Sequence, residues 1–79
     1  MSFHNHREAA LAQAWQLYNG YHLIPEGGHR EALLYIAWHW ANALGYETIA
    51  VPENVTEFTL RRFCRNCIDD LSPQMEIAA

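Results

Sequence analysis

Lysine is absent from this chain, and serine occurs only as Ser2 and Ser72. The first absence leaves five arginines to face nine acidic residues, for a formal charge of −4. That sign is wrong for a protein whose main task is to coat nucleic acid. The second removes the usual nucleophile, because both serines sit at the chain extremities and neither falls in a recognisable nucleophile motif. Cysteine is equally scarce: Cys64 and Cys67 are too few and too close together to staple a small secreted fold, so reduced thiols are expected. No apolar run approaches the roughly 18 residues of a membrane span, and the first residues lack the basic start and apolar core of a secretory signal. The expectation is a cytoplasmic protein that is neither an enzyme nor a membrane protein and needs no cofactor.

What remains is an apolar chain, 51% hydrophobic and 13% aromatic over 79 residues. That is enough apolar area to fold and too little length for two domains. Few glycines and prolines interrupt it. Those at positions 20, 25, 27, 28, 45, 52 and 73 divide it into three long segments of helical periodicity. The sequence predicts an all-α, compact three-helix bundle spanning 1–79 as a single helical domain, with helices at about 6–19, 29–44 and 55–71 and a tail at 72–79.

Asn5 with Glu8 forms a cap signature for the first helix, in which Leu11, Ala14, Trp15 and Tyr18 recur at helical spacing and are expected to face inward. Tyr21, His22, Leu23 and Ile24 form an apolar cluster expected to fold over the core. The second helix closes at Gly45, the left-handed residue that commonly ends helices. Between Ala32 and Leu44 only His39 and Asn42 are strongly polar, which makes this the expected central helix, covered on most sides. Tyr46 to Val51 reads as a short extended connector stopped by Pro52. Asn54, with Glu57 three residues on, is the expected cap of the third helix. Leu60, Phe63, Cys64, Cys67, Ile68 and Leu71 make a core stripe along it.

An internal echo links the first two segments. His6-Arg7-Glu8-Ala9 returns as His29-Arg30-Glu31-Ala32, and Leu11, Ala14 and Trp15 return as Leu34, Ala37 and Trp38, so that seven of ten aligned positions match. Duplication of a helical unit would pack the two helices antiparallel, with both tryptophans at related depths.

Several constellations bear on function. Cys64 and Cys67 put two sulfurs on one helical face, half of a tetrahedral zinc site. The other half would have to come from His4 and His6, so a small structural zinc-binding domain is one alternative. Small hydrophobes filling the core are the simpler account of both cysteines. A redox pair is disfavoured because Cys64 lies about two turns inside its helix, away from the N-terminal dipole. Gly27-Gly28 lacks the longer pattern of a phosphate loop and is explained by helix capping. His39 reads as a hydrogen-bonded residue at the edge of the core.

The outer face of the third helix is more distinctive. Phe58, Arg62, Arg65 and Asp69 follow at i, i+4, i+7 and i+11, opposite the core stripe, with Arg61 adjoining. An aromatic among arginines where solvent is expected has the composition of a protein-binding hot spot. These five residues are the candidate partner-binding set. They suggest a small acidic module, of accessory, phage or regulatory type, that docks on a larger protein and blocks or recruits it. The alternative is a helix-turn-helix-like DNA-binding regulator reading through helix 55–71; the long connector before that helix and the net charge both oppose it. A homodimer joined through Tyr35, Trp40 or the Tyr46 to Val51 stretch is a further possibility.

Overall fold

A computed structural model describes residues 5–21 and 27–72. Three helices, α1 (His6–Asn19), α2 (Gly28–Leu44) and α3 (Glu57–Leu71), pack together, and the described residues include no strand. Four contacts fix their directions. His6 at the start of α1 meets His39 near the end of α2, and Arg7 donates from its guanidinium to the carbonyl of Leu71, the last residue of α3. Trp40 reaches Asp70, and at the far end of α1 the Arg61 guanidinium lies 5.6 Å from the centre of the Tyr18 ring. Thus α2 and α3 run parallel to each other and antiparallel to α1.

The same contacts account for a basic residue in the first turn of α1. A cation is unfavourable beside that helix's own positive dipole end, but Arg7 serves the negative end of α3, which has no basic residue in its last turn.

The parallel pair explains the connector. After Gly45, at φ 78°, the Tyr46 amide closes on the Ala41 carbonyl at 2.9 Å, and the chain must then return along the length of α3 before starting it. Fifteen residues of helix span about 22 Å. The stretch 46–56, extended, reaches about 36 Å and suffices. Ile49, Val51 and Val55 pack on the core on the way, and Arg30 donates to the Pro52 carbonyl at 3.2 Å.

Helix α1 starts as expected, with the Asn5 side chain accepting from the Glu8 amide at 2.8 Å. Helix α2 begins one residue earlier than expected, at Gly28. Helix α3 begins two residues later, at Glu57, and is capped by Thr56 instead of Asn54. Thr56 Oγ1 accepts from the Thr59 amide at 3.2 Å, while Thr59 Oγ1 accepts from the Thr56 amide at 2.8 Å. This register sets Val55 and Leu60 at the two positions of a hydrophobic staple, both against the core.

The central position belongs to α1, and not to α2. Both other helices pack chiefly on α1, whose buried face is Ala9, Ala10, Ala14 and Leu17. Alanine leaves little side chain to hold a neighbour away, so two helices can approach it closely. The expected stripe is correspondingly rotated: Trp15 is 45% exposed, and Leu11 and Tyr18 only border the core. Helix α2 buries only one side, that of Leu33, Ile36, Ala37, Trp40 and Ala41, while Leu34, Tyr35 and Trp38, the last 59% exposed, face outward.

The sequence echo has a counterpart in burial. Ala10 and Leu33, Ala14 and Ala37, and Leu17 and Trp40 are equivalent buried pairs, and both Trp15 and Trp38 are exposed. Arg7 and Arg30, also equivalent, each donate to a backbone carbonyl outside α1 and α2.

Of the loop cluster, Tyr21 stacks on His29 with ring centres 4.7 Å apart, and its carbonyl lies 3.1 Å from His29 Nε2. His22, Leu23 and Ile24 lie outside the described residues, as do Met75 and Ile77 of the tail.

Candidate docking face on the third helix

The amphipathic period of α3 assigns its residues to two faces. Leu60, Phe63, Cys64, Cys67, Ile68 and Leu71 are buried as expected. Both thiols are free and fully buried, and burial pushes each up to about 12. For Cys67 the neighbouring Cys64 and Asp70 add to that effect. Thiols so far from ionisation are poor nucleophiles and poor metal ligands. Among the described residues no three His, Cys, Asp or Glu side chains gather as metal donors. His6 turns instead to His39, and His4 lies outside the described residues.

The outer face carries all five candidate residues. Phe58 is 70% exposed, the most open of the large apolar side chains among the described residues. The Arg62 guanidinium carbon stands 6.0 Å from its ring centre, at the limit of a cation–π contact. Arg61 Nε lies 3.3 Å from Glu57 Oε2, one turn back, in a charge contact without hydrogen-bond alignment, so this buried nitrogen has no acceptor. Arg65 Nε donates to Asp69 Oδ1 at 3.2 Å. Asp69 first, and then the Tyr18 hydroxyl, hold the Arg65 guanidinium even more firmly charged than usual. Among the described residues, Arg62 forms no ion pair.

An open groove of about 700 Å³ runs along this face, lined by Tyr18, Phe58, Arg61, Arg62, Arg65 and Asn66 among others. Tyr18 is the member that sequence reasoning placed in the core. Its ring does border the core, but it also underlies Arg61 and turns its hydroxyl to Arg65. An amphipathic aromatic at the edge of a helical stripe is the signal for such a dual position. Arg61 and Arg65 pair with Glu57 and Asp69, each one turn away on the same helix.

A second exposed region lies on α2. Leu34, Trp38 and Tyr46 border a hollow of about 420 Å³ floored by Ala37 and Ala41. Of the dimer candidates, Tyr35 and Tyr46 are exposed. Trp40 is withdrawn into the core, 8% exposed, with its indole N–H donating to Asp70 Oδ2 at 2.9 Å.

Beside this region His6 Nδ1 and His39 Nδ1 are 2.9 Å apart, and Tyr35 and Trp38 pack on the His39 ring. Burial and then the charge of His6 lower the His39 pKa from its ordinary 6.5. The unfolded chain therefore binds this proton more tightly than the folded one. The stability contributed is present above 6.5 and is lost as the pH falls through the folded value below it. Thermal midpoints measured from about pH 8 to about pH 5 should fall, and His39→Asn should flatten the slope.

No protein-family model matches this chain, and neither the curated proteins nor the solved structures contain a significant match.

Proposed function

We propose that this protein is a small acidic binding module that docks on a larger protein through the outer face of α3, blocking or recruiting that partner. The observation that carries this reading is Phe58, 70% exposed on a groove rimmed by arginines. Leaving a phenylalanine in water forgoes the stabilisation of burial, which a partner that covers the ring restores. Aromatic and arginine side chains are also the types that dominate binding energy at interfaces.

In the test, the wild-type chain captures its partner and amide exchange of the complex is mapped. Protection should fall over residues 57–66. Phe58→Ala should weaken the complex by about 30-fold, the effect of a hot-spot residue, with no drop in thermal midpoint. Undiminished capture by Phe58→Ala, or protection confined to α2, would refute the assignment.

A further inference from the structure

We infer that the segment received by the α3 groove is an acidic amphipathic helix of a protein partner. This rests on the docking reading above and adds the chemistry of what docks. The first ground is charge. Three of the chain's five arginines line one groove, against a single lining carboxylate, Glu57, in a molecule whose net charge is −4, so the groove is a local basic exception on an acidic protein. Arg62 presents donors that no carboxylate of the described residues engages. The two ion pairs on the same face, Glu57 with Arg61 and Asp69 with Arg65, join exposed side chains one turn apart. Such pairs are held weakly and exchange readily for an incoming carboxylate.

The second ground is shape. Tyr18 and Phe58 supply aromatic walls for an apolar side chain. Arg61 and Arg65 stand one helical turn apart, matching carboxylates spaced one turn apart on a partner helix. The lining extends from Thr56 to Asn66. That is about 15 Å along α3, room for about three turns of a helix laid in the groove. Charge complementarity also repels the wrong occupants, since a basic helix would meet three guanidinium groups.

The test uses the full chain and a fluorescein-labelled synthetic helix of about four turns, leucine on one face and glutamate on the other. Copies with glutamine or lysine in place of glutamate serve as comparisons. The glutamate helix should bind saturably by anisotropy and perturb the amide resonances around Tyr18, Phe58 and Arg62. Its affinity should fall about tenfold or more in the glutamine copy, in Arg62→Glu, and between low and physiological salt. Arg62 is exposed, and an unchanged helical circular dichroism spectrum would show that Arg62→Glu still folds. Equal binding of the glutamine or lysine copy, no saturable binding of the glutamate helix, or perturbations centred on Leu34 and Trp38 would overturn the inference. Tighter binding of a single-stranded oligonucleotide would do the same. A captured partner lost on Phe58→Ala yet indifferent to Arg62→Glu and to salt would leave the docking reading standing and remove this one.

Discussion

Leu17→Ala should lower the unfolding free energy by about 3 kcal/mol, within the range of about 2–5 kcal/mol for removing a buried leucine. Leu17 is fully buried on α1, the helix against which both others pack, so neither neighbour can close the cavity without losing contacts with the rest of α1. A chain of this length has about 4–12 kcal/mol of stability in total. The loss corresponds to a fall in thermal midpoint of about 12–24 °C, readable by circular dichroism. Leu11→Ala, six residues earlier at the edge of the core, is the comparison. A loss there as large as at Leu17 would mean that the buried face of α1 has been misassigned.

Trp40→Ala should be at least as damaging, by about 3–5 kcal/mol. The ring is nearly covered, packs edge-on against Phe63 at 5.4 Å, and donates to Asp70. Trp38, two residues earlier, should tolerate the same change with an effect within about 0.5 kcal/mol, because more than half of it faces water. Trp40→Phe separates the two contributions at Trp40. It keeps most of the packing but loses part of the ring volume together with the N–H donor, and because Asp70 is exposed its carboxylate regains water, which limits the cost to about 1–2 kcal/mol. Urea titrations should find the largest loss in Trp40→Ala, a smaller one in Trp40→Phe and the smallest in Trp38→Ala. Equal losses at Trp38 and Trp40 would count against the buried and outward faces assigned to α2.

Which face each helix turns inward marks the boundary of what could be read from residue order. Asn5, Gly45 and the α3 stripe were legible because each is a local signal: a side-chain cap, a left-handed turn, and an apolar period with polar residues opposite. On α1 two stripes compete, one of Leu11, Ala14, Trp15 and Tyr18 and another of Ala9, Ala10, Ala14 and Leu17. They differ by roughly one residue's rotation. Weighing them by side-chain size favours the tryptophan, whereas packing favours the alanines that let two helices close on α1.

The same weighting made α2 look central because it is rich in Leu, Tyr and Trp, although several of those side chains face outward. Asn54 and Thr56 are both plausible caps, and the choice between them depends on where Val55 and Leu60 meet the core. In the docking face, Phe58 and the arginines follow from the α3 period alone. Tyr18 does not, since its place in the groove depends on the antiparallel register of α1 and α3. The His6–His39 contact likewise requires the register of α1 on α2.

The contact between Arg7 and the last carbonyl of α3 brings the entry and exit of the described bundle to one pole. Such a layout suits grafting: residues 5–72 could be spliced into a surface loop of an unrelated host without prying its two cut ends far apart. The α3 groove, whose Tyr18 end lies at the opposite pole, would then project away from the host.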